Sequence, residues 1–169
     1  EDTFTEGVEH RAKMSIEAKV NHRMSEEARE QGRIWGKRHK VDILKAEQIL
    51  SEQFEYEFPV DMAKNAFDIS NDETGSIPPQ TKALAISWAR LHPEEMNEAK
   101  DEHNQELAEQ YAKQTGDKAG YTAVKIFNGF ATEDEMAWES YAEQWKAYNT
   151  MDYLAAQNKL IDENAAAFV

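Results

Sequence analysis

The amino-acid sequence predicts an all-α protein, an irregular bundle of about five to seven helices with an extended N-terminal helical arm. Three observations carry this expectation. Apolar residues recur at spacings of three and four along most of the chain, alternating apolar and polar runs are rare, and turn-forming residues are gathered into a few places. The composition agrees: of 169 residues, 40% are hydrophobic and 31% charged, with a mean hydropathy of -0.82. A chain this polar builds a core only if its helices keep broad solvated faces. Aromatic residues, 10% of the chain and set at helical spacing, argue against disorder.

Taken in order, residues 8–34 hold one breaker, Gly32, and Val20, Met24 and Ala28 recur every four residues. That stripe is too thin to stabilise a helix by itself, so the segment is expected to lie along something else as an arm. Gly32 and Gly36, around Ile34-Trp35, mark an expected break. Residues 41–57 form a better amphipathic helix, with Val41, Leu44, Ile49-Leu50 and Phe54 on one side and Asp42, Glu47 and Glu52 on the other. Pro59 ends it. A short helix from Val60 to Ile69 follows, then a loop from Ser70 to Gln80 closed by Pro78-Pro79, then an apolar helix from Lys82 to His92.

Pro93 suits the first position of the next helix, and Glu94 and Glu95 complement the positive end of its dipole. Met96, Ala99, His103, Leu107 and Tyr111 line one face of it, and Gly116 and Gly120 close it. Tyr121 to Phe130 reads as a short helix or the one plausible strand. Thr132-Glu133-Asp134-Glu135 is a capping box that opens the last long helix. There Trp138, Tyr141, Trp145 and Tyr148 form an aromatic seam, continued by Met151 and Leu154.

Charge divides the chain unevenly. Residues 10–40 carry nine Lys and Arg against four Glu, a net of +5, while the remainder carries -19 of the total -14. The expected organisation is therefore a basic N-terminal helical arm over residues 1–40 and an acidic helical domain over 41–169.

Several chemistries are excluded by residue type. There is no cysteine, so disulfides, thiolate nucleophiles and Cys-ligated metals are absent. The longest nearly apolar run, Ala83 to Ala89, is far short of the roughly 20 residues of a membrane span. No histidine has Glu three residues before it, as carboxylate-bridged metal bundles require; those positions hold Gly7, Lys19, Gly36, Ala89 and Lys100. Glu102, His103 and Glu106 are the nearest thing to a surface metal set, but His103 falls on an apolar stripe and reads as a packed residue. Neither a Gly-x-Ser-x-Gly elbow nor a phosphate-binding glycine loop occurs. The expectation is that the protein is not an enzyme, with no catalytic, cofactor or metal residues and no small-molecule substrate.

One local pattern stands apart. Met62, Ala66 and Ile69 precede Gly75-Ser76-Ile77, and in this frame Ser70 is the first loop position, Asp72 the third, Thr74 the fifth and Thr81 the twelfth. The segment resembles an EF-hand, which implies a helix–loop–helix. A calcium site needs an acid at the first position and a bidentate Glu at the twelfth. Here those positions hold Ser and Thr, and Pro78-Pro79 fall where the exiting helix begins, so a Pro-closed loop between helices is expected.

These readings converge on a non-catalytic accessory subunit of a larger assembly that acts through protein–protein contacts. Its expected partner-binding residues are Arg23, Trp35, Lys37 and Arg38 near the arm, and Trp138, Tyr141, Trp145 and Tyr148 on the aromatic seam. The opening Glu1-Asp2-Thr3, without a Met, suggests N-terminal processing and a soluble protein of the mitochondrion or another organelle. The alternatives are an acidic DNA mimic that inhibits a DNA-binding protein, and a degenerate EF-hand-like regulator. Direct nucleic-acid binding is opposed by the charge of -14.

Overall fold

The computed structural model describes residues 4–167, with side chains through Glu163, and among these residues every regular element is a helix. The opening Glu1-Asp2-Thr3 lies outside the described residues. The chain forms two compact units, residues 1–99 and 100–169.

The first unit contains α1 (Glu6–Ala18), α2 (Glu26–Arg38), α3 (Lys40–Glu57), α4 (Met62–Ser70), α5 (Pro79–Leu91) and the start of α6 (Pro93–Thr115). The continuous helix expected over residues 8–34 is broken at 19–25, so Val20 and Met24 sit in a turn and not on a helical stripe. Local polar side chains cause the break. The Asn21 carboxamide accepts from the Arg23 amide at 3.1 Å, a turn that competes with helix. Ser25 then caps α2 by accepting from the Ala28 amide at 3.1 Å, with Glu26 and Glu27 in the first turn. Arg29 completes the reversal, donating to the carbonyls of Ala18 and Lys19 at 2.9 and 3.1 Å.

Gly32 and Gly36 do not break α2 as expected; they let it approach α1. A Cβ at 32 would stand 3.0 Å from the Ala18 Cβ, and one at 36 would stand 2.8 Å from the Ser15 hydroxyl. That hydroxyl donates to the Gly32 carbonyl at 2.5 Å. The described part of residues 1–40 is accordingly not an extended arm. α1 packs on α2, α3 and α5, and its Ala12 and Ile16 belong to one core with Leu50, Phe54, Leu84 and Trp88. The boundary expected after residue 40 lies inside a compact unit, because the apolar side of α1 is covered by α3 and α5. Phe54 has no exposed surface and lies 4.9 Å from the Phe58 ring and 5.8 Å from the Trp88 ring. Burial of one such side chain contributes about 1.5–3 kcal/mol.

The second unit holds the end of α6, a 3-10 turn (Gly116–Lys118), α7 (Ala119–Phe127), α8 (Glu133–Met136), α9 (Glu139–Tyr148) and α10 (Thr150–Ala167). Tyr121 to Phe130 is no strand: it is helical to Phe127, and Gly129 at φ +82 closes it. Its core joins Tyr111, Ala123, Val124, Ala142, Trp145 and Tyr153. At Gly120, where a Cβ would stand 2.8 Å from the Ala156 Cβ, α7 meets α10 closely. The capping box is present, with Thr132 and Glu135 bonded reciprocally at 3.0 and 3.2 Å. The long helix expected after it is split into α8, α9 and α10.

A shared stop signal accounts for many of the breaks. Helices α2, α3, α5 and α9 end at His39, Phe58, His92 and Asn149, each with φ near -130 and ψ between 44 and 64. Each cap follows an aromatic residue by four: Trp35, Phe54, Trp88 and Trp145. His39 and His92 donate through Nδ1–H to the carbonyls of Trp35 and Trp88, both at 2.8 Å, and stack on those indoles. Asn149 donates to the Trp145 carbonyl at 3.0 Å. At His39 and His92 the backbone N–H turns instead to Gly36 and Ala89, and the imidazole takes the carbonyl that a continuing helix would have used.

Candidate partner-binding face

The residues expected to bind a partner fall in both units. Arg23 is exposed in the α1–α2 turn, where it lines a groove of about 420 Å³ with Ser76, Ile77 and Pro78. Lys37 and Arg38 are exposed in the last turn of α2, where a cation complements the helix dipole. Trp35 is partly buried against the first core and stacked on His39 with centroids 4.0 Å apart. These four are not a single patch of free side chains, since Trp35 is committed to packing.

The aromatic seam also turns inward. Trp145 is 6% exposed and packs 5.6 Å from Tyr111, while Trp138 and Tyr141, 4.9 Å apart, lean on the same core. Tyr148 is half exposed, but its hydroxyl donates to the Asp101 carboxylate. That bond, together with the negative charge of Asp101, raises the phenol above its ordinary range. Three of the four aromatics, Trp138, Tyr141 and Trp145, therefore serve the core of the second unit, and Tyr148 stays at its surface.

What is left open lies on α10. Its inner side, Tyr153, Ala156 and Leu160, packs on α7 and α9. Turned away from that side is a second seam at spacings of three, four and three: Met151, Leu154, Asn158 and Ile161. Met151 is 78% exposed, Leu154 42% and Ile161 58%. Beside it, Tyr121, Val124, Phe130, Leu160 and Ile161 line a mostly apolar groove of about 390 Å³, with Lys125, Asn128 and Gln157 at its rim. Phe130 is 78% exposed. Lys125 is held by Glu135 at 2.6 Å, and its ammonium lies 4.9 Å from the Tyr121 ring. This pairing holds the Glu135 carboxyl below its ordinary range. The other edge of the seam carries exposed Asp152, Asp162 and Glu163, with Lys159 among them.

A helix apolar on two opposite sides is unusual at a surface, since one side suffices to bury it. Sequence reasoning read Met151 and Leu154 only as a continuation of the aromatic seam, and did not single out Phe130 or Ile161. The available signal was the second set of apolar residues in α10, offset from Tyr153 and Leu160.

Two buried polar groups of the first unit, the Glu47 carboxylate and the Trp88 indole N–H, are already engaged. The Glu47 side chain, 4% exposed, accepts from Arg90 at 2.6 Å, and Glu55 accepts from the Trp88 indole at 3.1 Å. Among the described residues no group of three or more His, Asp or Glu is placed to hold a metal ion, Glu102, His103 and Glu106 included. No described helix is long and apolar enough to cross a membrane. No protein-family model matches this chain, and no curated protein or solved structure is significantly similar to it, so its function rests on the chemistry of its own surfaces.

Proposed function

We propose that this chain is a non-catalytic accessory subunit of a larger protein assembly, and that the outward seam of α10 receives a helix of a partner. The observation that carries the reading is the exposed Met151–Leu154–Asn158–Ile161 seam on a helix whose other side is already packed. Apolar residues at i, i+3 and i+10, with Asn158 at i+7, match the stripe of a facing helix. Charge selects among occupants. The seam has an acidic edge in Asp152, Asp162 and Glu163, and the chain carries -14, which repels a second copy and favours a partner helix with Lys or Arg along one edge. The groove at Tyr121 and Phe130 offers aromatic anchors of the kind that dominate interface energetics.

The test compares the native size of the wild-type chain with that of a Leu154→Glu/Ile161→Glu variant in a gentle extract of the source cells. Tyr56→Ser, at a residue 86% exposed in the first unit, is the control. Wild type and control are expected in a particle far larger than 19.4 kDa, and the seam variant free. The proteins released from it are expected to include one with an amphipathic helix basic along one edge. A wild-type chain that runs as a free monomer overturns the reading, and so does a seam variant that stays in the particle.

A further inference from the structure

The segment from α4 to α5 folds as the helix–loop–helix that its resemblance implies. Gly75, the sixth loop position, takes φ +74, and α5 starts at Pro79, whose missing N–H suits a first helical turn. The prolines thus open the exiting helix where they were expected to displace it. The loop nevertheless lacks the oxygens of a calcium site. In such a site the metal joins the acids at the start of the loop to a bidentate Glu at the twelfth position, and so fixes the exiting helix. Thr81 stands at that position and has no carboxylate to offer.

The following residue supplies a charge of its own. From the first turns of α5, the Lys82 ammonium reaches back ten residues and donates to the Asp72 carbonyl at 2.6 Å. The Asp72 carboxylate accepts from the Thr74 hydroxyl at 2.8 Å and the Thr74 amide at 3.4 Å, and Thr74 and Ser76 share a hydrogen bond of 2.7 Å. Those bonds, and then the charge of Lys82, hold the Asp72 carboxyl below its ordinary range. The second Asp72 oxygen and the Ser70 hydroxyl are shielded from solvent and lack a hydrogen-bond partner. An unpaired shielded carboxylate oxygen is costly unless a positive charge lies near it, and Lys82 lies on the same groove, with Ser70, Asp72, Glu73 and His22.

We infer that Lys82 is the resident cation of this loop: its ammonium ties the loop to α5 and holds α4 and α5 in one arrangement without a metal ion. The pair is then a fixed structural unit, indifferent to calcium, because a divalent cation entering the loop meets the Lys82 charge and finds no acid at either end position. Lys82 is only partly exposed, so its bond is better shielded from water than a surface pair.

Two measurements on the full chain test this. The first is calorimetric titration with calcium chloride into the millimolar range, for which no binding heat is expected. The second is amide hydrogen exchange over residues 70–82 in Lys82→Met, which keeps the apolar stem and removes the charge. Loss of a hydrogen bond to a charged group predicts exchange faster by about tenfold or more in this segment. Lys82→Arg should retain protection, and Lys64→Met, an exposed lysine on α4, should leave it unchanged. Calcium binding by the wild-type chain overturns the inference, as does unchanged exchange in Lys82→Met. Should that variant fail to fold, the wild-type titration still decides.

Discussion

Replacing Gly36 with alanine adds one methyl group to the last turn of α2, a kind of change that within a helix ordinarily stabilises by up to about 1 kcal/mol. At Gly7 in α1 the ordinary result is expected, because the nearest atom to an added Cβ is the Thr5 hydroxyl oxygen at 3.9 Å. At Gly36 the new Cβ would lie 2.8 Å from the Ser15 hydroxyl, which is buried and already donating to the Gly32 carbonyl. Moving it breaks that bond at a cost of about 1–3 kcal/mol, and crowding between α1 and α2 adds a cost of similar size. After the propensity gain, Gly36→Ala should destabilise the first unit by about 1–3 kcal/mol. At roughly 4–8 °C per kcal/mol for a unit of this size, the melting point shifts visibly. The decisive comparison is made in a Ser15→Ala background. There the next neighbours are Ile43 carbons at 3.6 and 3.7 Å, ordinary contacts, so the same substitution should be neutral or stabilising. Hydrogen-exchange mass spectrometry across a urea series, read on peptides of α1 to α3, scores residues 1–99 separately from the rest. If Gly36→Ala costs the same with and without the Ser15 hydroxyl, the close approach is not what the glycine serves, and the reasoning fails.

Two further perturbations probe polar groups. Arg90→Ala strips the buried Glu47 of its cation and should cost about 1–3 kcal/mol, less than a fully buried pair because Arg90 is half exposed. Arg90→Met with Glu47→Leu should recover much of this in urea unfolding, and a loss too small to detect in Arg90→Ala would contradict the pairing. In the second unit, burial pushes the Tyr111 phenol up to about 12, while its hydroxyl donates to the Ala119 carbonyl at 2.5 Å. An unfolded tyrosine ionises near 10, so between about pH 10 and 12 the unfolded chain holds fewer protons than the folded one. The stabilisation is full below pH 10 and falls as pH rises through that window. Thermal melts of Tyr111→Phe should begin less stable and lose less there; equal slopes would refute the assignment.

The expected helices largely coincide with the observed ones wherever an apolar stripe met a clear stop. The helix of 41–57 was legible from its apolar spacing and Pro59, and α3 spans Lys40–Glu57, but Val41 and Leu44 are exposed and Glu47 is buried, so its covered side was not. The capping box at Thr132 was legible because both partners lie within one turn. The breaks at His39 and His92 were less so: a Trp followed four residues later by His is compatible with a continuing helix until the cap imidazole takes the Trp carbonyl. The candidate face was hidden for a related reason. Met151 and Leu154 continue the period of Trp145 and Tyr148, and only the break at Asn149 lets α10 turn its other side, Tyr153 and Leu160, to the core.

By itself the sequence determined the all-α class, the polar solvated faces, the sites of most helix starts, and the absence of cysteine chemistry. These depend on residue type and on spacings within one or two turns, where physical cause and sequence distance coincide. Tertiary structure alone decided which side of each amphipathic helix is covered. Gly32 and Gly36 look like breakers until Ser15 is brought against them, and residues 1–40 look like an arm until Ala12 and Ile16 meet Phe54 and Trp88. Lys82 looks like any helix-start lysine until the chain folds back to Asp72. In each case the energy resides in a contact between residues distant in sequence, and local periodicity carries no record of its partner.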